Sequence, residues 1–132
     1  MLVLAKAGGF VHSSIPLAGK SVEELGKKTG AWTATVTYDA ADINPKNLAQ
    51  YDAILLNNTT GFFLDAPGDD TAHEERKAAL LAFVRGGKGI AGLHAASDSY
   101  HGDPASARTS APPGSGGGLG TEIGRASCRK EC

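Results

Sequence analysis

The sequence predicts an α/β protein in which a parallel sheet is flanked by helices, in two or three layers. Short apolar segments that are typical of strands alternate with segments of helical periodicity, in the order β-α-β-α-β-α-β. The segment 53–56 is apolar at every position, as expected for a strand covered on both faces. Polar residues and glycines follow these strands, where parallel sheets collect ligand-binding groups.

The first part of the chain is predicted to form two strands with a helix between them. Residues 2–7, apolar apart from Lys6, form a short run that ends at Gly8-Gly9, which predicts a buried strand. A helix is expected to begin at Ser13 or Ser14, to carry Pro16 in its first turn and to stop at Thr29-Gly30. Its expected inward face consists of Ala18, Val22 and Leu25. Apolar residues alternate with threonine over 32–38, which predicts a strand at a sheet edge.

The second part continues the alternation. Asn44-Pro45 predicts the start of a short helix, and the apolar strand 53–56 follows it. The segment Thr71–Glu74 has the pattern of a capping box at the start of a longer helix that ends at Gly86-Gly87. The expected inward face of that helix consists of Ala79, Leu80, Phe83 and Val84. A short buried strand is then predicted over 89–93.

Composition limits the function classes. The chain has 132 residues, 41% hydrophobic and 20% charged, which suits one globular domain. Its formal net charge of -1 does not predict a nucleic-acid partner. No apolar run reaches membrane-spanning length and no signal peptide is recognised, so a cytoplasmic location is expected. Oligomeric state is left open.

The most informative segment is the polar turn that follows the last predicted strand. It carries His94, Ser97 and Asp98, and the small residues around them allow a ligand to approach the backbone closely. His94 and Asp98 are therefore candidate catalytic residues. The residues alone leave open whether His94 takes part in chemistry or is a hydrogen-bonded structural residue under a loop.

Other chemistries have weaker support in the sequence. No cofactor is expected, because Gly8-Gly9 belongs to neither a dinucleotide fingerprint nor a phosphate loop. A metal site is not predicted: His12, His94, Asp98 and His101 could supply ligands, but no compact metal motif is present. The trio 62–64 (Phe-Phe-Leu) is interpreted as packing under its own loop, with a lid or a partner contact as the alternatives.

Three segments together resemble the trehalose-utilisation (ThuA-like) family. They are Ala7-Gly-Gly-Phe-Val-His-Ser-Ser-Ile-Pro16, Tyr51-Asp-Ala-Ile-Leu-Leu-Asn-Asn-Thr-Thr-Gly61 and Gly92-Leu-His-Ala-Ala-Ser-Asp98. The resemblance implies a flavodoxin-like, class I glutamine-amidotransferase-like fold. It also implies catalytic roles for His94 and Asp98, and substrate-binding roles for His12, Asn58 and Thr59. In that strand order the three polar turns are expected to meet at one edge of the sheet.

The resemblance implies a function in bacterial carbohydrate utilisation, acting on a small sugar with histidine as acid and base. Glutamine hydrolysis through a cysteine is not expected, because His94 stands where such amidotransferases of this fold carry their nucleophile. Two alternatives stay open: a sugar-binding or regulatory module without turnover, and an inactive fragment of a longer enzyme. Family domains continue beyond the third segment, so the domain 1–102 is expected to be incomplete.

Residues 103–132 differ in kind from the rest. Eleven of the 18 residues from Asp103 to Gly120 are Gly, Pro or Ser, which predicts disorder. Back-translation of Glu122 to Ala126 as GAG ATC GGA AGA GC resembles a sequencing-library adapter. Our hypothesis is that this tail is translated read-through, with a natural linker to a further domain as the alternative.

Overall fold

The structure, a computed structural model, describes residues 1–66, 68–69 and 71–100. Its four strands are β1 (Leu2–Leu4), β2 (Thr35–Thr37), β3 (Ala53–Asn57) and β4 (Gly89–Leu93). Its three α-helices are α1 (Ile15–Thr29), α2 (Pro45–Leu48) and α3 (Ala72–Arg85), and 3₁₀ turns cover Ala40–Asp42 and His94–Asp98. The predicted tail and His101 lie outside the described residues.

All pairings in the sheet are parallel, and the strands lie in the order β2-β1-β3-β4. Leu2 is in register with Thr35 on one side and with Ile54 on the other, and Ala53 is in register with Gly89. This arrangement confirms the predicted flavodoxin-like α/β fold. After β2 the chain crosses to the other side of β1, so a ligand crevice is expected between the carboxyl ends of β1 and β3.

The two central strands separate two packed layers, as the apolar strand 53–56 predicted. Leu2, Leu4, Ile54 and Leu56 belong to one buried cluster together with the inward face of α3. That face consists of Ala79, Leu80, Phe83 and Val84, as predicted. The alternate side chains of these strands face the opposite side of the sheet, where α1 lies. On that side Asn57 Nδ2 donates to the Ile15 carbonyl.

The inward face of α1 differs from the predicted one. Leu25 is exposed, and the buried residues of this helix are Ile15, Gly19 and Gly26. The glycines are buried because the helix backbone lies directly against its neighbours. A Cβ at Gly26 would stand 2.6 Å from Trp32 Cδ1. Periodicity of large apolar residues does not detect a contact that depends on the absence of a side chain.

The prediction of a buried last strand was wrong. Within the described residues β4 pairs with β3 alone, and Gly89, Ala91 and Gly92 are exposed while Ile90 and Leu93 are half-buried. The predicted edge strand was correct in place but shorter, since only Thr35–Thr37 pair with β1. The residue pattern therefore predicted the position of both β2 and β4. How far each strand is buried depended instead on the elements that pack beside it.

The start of α3 also departs from the prediction. Thr71 makes no side-chain capping bond. Instead Asp69 Oδ1 accepts hydrogen bonds from the Thr71 amide at 3.1 Å, the Thr71 hydroxyl at 2.8 Å and the Ala72 amide at 3.1 Å. These bonds hold the pKa of the Asp69 carboxyl below its usual range, the Thr71 side-chain bond first among them. His73, in the first turn of this helix, is partly exposed, and its Nε2 lies 2.9 Å from Glu74 Oε1.

Candidate functional site

The loop after β1 crosses the carboxyl end of β3. The amides of Gly8 and Gly9 both donate to the Thr60 carbonyl, at 2.7 and 3.0 Å. A Cβ at Gly8 would stand 2.3 Å from the carbonyl carbon of Phe62, so only glycine permits this approach. The two glycines therefore hold the loop against the third strand, and the residues that follow them reach the end of the fourth.

This path brings two of the predicted site residues together. The imidazole rings of His12 and His94 lie 4.8 Å apart between centroids, with their planes at 77°. The Phe10 ring packs edge to face against the His12 ring, with 4.9 Å between the ring centroids. An imidazole ring can both donate and accept a hydrogen bond, so two of them at one end of the sheet can engage a polar ligand.

His94 occupies a tight strand-to-turn elbow. It directly follows β4 and has a φ of 48°, a left-handed conformation that is uncommon for a residue with a side chain. A Cβ at Gly92 would stand 2.9 Å from the Ala96 Cβ, so the elbow closes only with glycine at that position. The elbow presents an exposed His94 at the carboxyl end of the sheet. Backbone strain of this kind is frequent at functional sites.

Asp98 lies at the same edge but engages a different partner. Its Oδ2 accepts a hydrogen bond from the Thr60 hydroxyl at 3.2 Å, and its backbone carbonyl accepts from the Gly61 amide at 3.4 Å. No hydrogen bond joins Asp98 to an imidazole in the described part of the chain. The carboxylate therefore ties the turn after β4 to the turn after β3.

The turn after β3 contains a buried chain of amides. Asn58 has a φ of 55° and is 3% exposed, and its Nδ2 donates to Asn57 Oδ1 at 2.8 Å. Asn58 Oδ1 is buried and accepts no hydrogen bond from any described residue. An unpaired buried acceptor costs about 1–3 kcal/mol.

Thr59, the third predicted binding residue, is fully buried. Its hydroxyl lies 3.0 Å from the Ser99 hydroxyl, and Ser99 Oγ also donates to the Thr59 carbonyl. The Thr59 side chain thus joins the two turns from inside. Asn58 is the residue of this turn whose side chain retains an unused acceptor.

Tyr100 anchors the site and was not found from the sequence. It is 1% exposed, and its hydroxyl accepts from the Leu64 amide at 3.2 Å and donates to Asp65 Oδ1 at 3.0 Å. Its ring also contacts the Phe63 ring edge to face. Phe63 and Leu64 are buried, as expected for a trio that packs under its own loop, while Phe62 is 44% exposed. A single aromatic outside any periodic segment carries no sequence signal.

The described residues contain no group of three or more histidine, cysteine or acidic side chains that could hold a metal ion. Of the four ligands considered from the sequence, His101 lies outside the described residues. No helix among those described is both long enough and apolar enough to cross a bilayer.

The fold defines the class of protein: a flavodoxin-like α/β domain, here with polar residues gathered at the carboxyl ends of its strands. A family model described as ThuA, trehalose utilisation, matches residues 1–108. The chain belongs to this family, which confirms the resemblance seen in its three motifs. Comparison with curated proteins and comparison with solved structures each gave no significant match.

Proposed function

We propose that this domain acts on a small sugar and that His94 is the acid or base that moves a proton in the reaction. The observation that carries the proposal is the His12–His94 contact, 4.8 Å between ring centroids at the carboxyl edge of the sheet. A histidine changes charge near neutral pH, so it can both take and return a proton. Family membership supplies the link to carbohydrate.

Hydroxyl recognition is assigned to Asn58. Its unpaired Oδ1 would accept a sugar hydroxyl, because sugars present many O–H donors, once the turn after β3 opens to expose this buried oxygen. Asp98, which is exposed, retains a second carboxylate oxygen beyond the one that Thr60 engages. A cytoplasmic setting, a bacterial origin and a carbohydrate rather than nucleic-acid partner belong to the same proposal.

One observation favours a second candidate, a sugar-binding module without turnover. Asp98 bonds to Thr60 and not to His94, so the described residues supply no carboxylate that orients the His94 imidazole. General acid and base catalysis by histidine commonly uses such an orienting group. A site that binds hydroxyls but moves no proton would have this arrangement.

The test uses the purified full chain with trehalose as the probe. Calorimetry measures binding, and mass spectrometry of the same mixture measures products. Saturable binding with product formation supports the enzyme, and binding without product supports the module. If a chain that unfolds cooperatively neither binds nor converts trehalose or glucose, both candidates are rejected for this protein and an inactive fragment is the remaining interpretation.

A further inference from the structure

A cleft of about 410 Å³ lies beside the histidine pair, between the end of β1, the first turn of α1 and the end of β2. Residues that line it include Ala5, Lys6, Val11, His12, Ile15 and Tyr38. His94 is not among the lining residues. The volume falls within the range of about 300–1,000 Å³ that is common for small-molecule sites.

The walls of the cleft combine an apolar surface with a few polar groups. Tyr38 is 54% exposed and Val11 is 69% exposed. Their apolar surface is therefore accessible to a ligand in the cleft. Lys6 and His12 add nitrogen groups, and no acidic residue of the described chain lines the cleft. A pyranose ring matches such walls because it has an apolar C–H face and a rim of hydroxyls.

His12 connects this cleft to the proposed reaction site. Its side chain lines the cleft, and its ring is also the one that contacts His94. A ligand in the cleft can therefore touch the ring that contacts His94. The cleft and the histidine pair share His12.

We propose that this cleft is the subsite for the sugar ring that does not react. The ring lies with its C–H face on Tyr38, and Lys6 donates hydrogen bonds to its hydroxyl oxygens. The bond to the second sugar unit then lies at His12 and His94. This inference rests on the proposed function, and what it adds is a place for the second ring of a disaccharide, in the cleft next to His12.

The experiment maps sugar binding on the isotope-labelled full chain by NMR, with trehalose and glucose as probes. Both sugars should shift the resonances of Lys6 and Tyr38, and trehalose should also shift those of His94. Replacement of Tyr38 by Ala should weaken binding of both sugars about tenfold, the effect of removing an aromatic stacking surface. Tyr38→Phe should bind like the wild type. Leu25→Ala, which removes an exposed apolar side chain outside the cleft, is the matched control.

The possible results separate the subsite from the proposed reaction. If sugar binds but shifts only residues 94–98, or if Tyr38→Ala binds as tightly as the wild type, the subsite is wrong while the reaction at His94 stands. If sugar binds in the cleft and no product forms, the subsite stands and the acid–base reaction is rejected. If the folded wild type binds neither sugar, both proposals are rejected.

Discussion

The rings of His12 and His94 are in edge-to-face contact at 4.8 Å, although one follows the first strand and the other follows the last described strand. β3 lies between those two strands in the sheet, so the contact requires the loop after β1 to cross the end of β3. The Gly8 and Gly9 amides make that crossing by bonding to Thr60. The proposed chemistry therefore depends on a loop path as much as on the two imidazoles.

Replacement of His94 by Asn should lower sugar turnover about 10²–10⁴-fold, the usual contribution of a general acid or base. Because His94 is exposed, the free energy of unfolding should change little. His73→Asn, on α3 and beside Glu74, is the matched control and should keep full activity. Turnover that survives in His94→Asn would remove this residue from the mechanism.

Replacement of Gly8 by Ala should destabilise the protein by about 1–3 kcal/mol, as overpacking does. The new Cβ would meet the Phe62 backbone at 2.3 Å, and a backbone segment cannot rotate away. Gly9→Ala is the control at the adjacent position, because its Cβ would stand 3.3 Å from the Thr60 hydroxyl, a contact that a shift of a few tenths of an ångström relieves. Urea unfolding measures the free energy of unfolding of both variants. Equal unfolding free energies for the two variants would contradict the proposed close approach.

Asn58 combines a left-handed backbone with a proposed role in binding, and two substitutions separate these contributions. Asn58→Gly and Asn58→Ala both remove the amide, so both should weaken sugar binding to the same extent. Only alanine is strained in the left-handed conformation at φ 55°. The Asn58→Ala variant should therefore be about 1–2 kcal/mol less stable to unfolding than Asn58→Gly. Calorimetry measures the sugar affinity, and chemical denaturation measures the free energy of unfolding. Unchanged sugar affinity in Asn58→Gly would show that its Oδ1 contacts no ligand.

Asp69 should make stability depend on pH in acid. Because the pKa of its carboxyl is lowered in the folded state, its contribution is fully present above the unfolded-state pKa of about 3.9. That contribution is lost as the pH falls through the lowered value. Asp69→Ala should therefore melt below the wild type at pH 7, and the difference in Tm should shrink in acid.

Asp69→Asn is the matched variant for this prediction. Its side-chain oxygen can still accept the bonds from Thr71 and Ala72, so it should retain part of the stability at pH 7. Its contribution should not titrate. A Tm difference between the wild type and Asp69→Ala that is the same at pH 3 and pH 7 would contradict the capping role of the carboxylate.

Much of the fold was predictable because the signals are local. The apolar segment 53–56 predicted the central strand, and Gly30, with a φ of 68°, ends α1 as predicted. The Asn44 side chain accepts from the Asn47 amide and begins α2, also as predicted. Helix starts, helix stops and strand periods depend on a few neighbouring residues. They can therefore be read without knowledge of the tertiary contacts.

The errors came where a local pattern competes with more distant geometry. The Thr71–Glu74 pattern predicted a capping box, but the helix start is held instead by Asp69, two residues before Thr71, whose carboxylate accepts from the Thr71 and Ala72 amides. The apolar run 89–93 predicted burial, but burial depends on the neighbours of the strand. In α1, Gly19 and Gly26 are buried by close approach, which a search for large apolar residues passes over.

The sequence by itself determined the order of the elements, the family and the three polar turns that carry the candidate site residues. It did so because periodicity, turn residues and motif spacing are properties of short segments. Only the tertiary structure decided that His12 meets His94, that Asp98 bonds to Thr60, and that a cleft opens between Lys6 and Tyr38. Those contacts depend on strand order and on the path of one loop across a neighbouring strand. Neither is contained in any single segment of the chain.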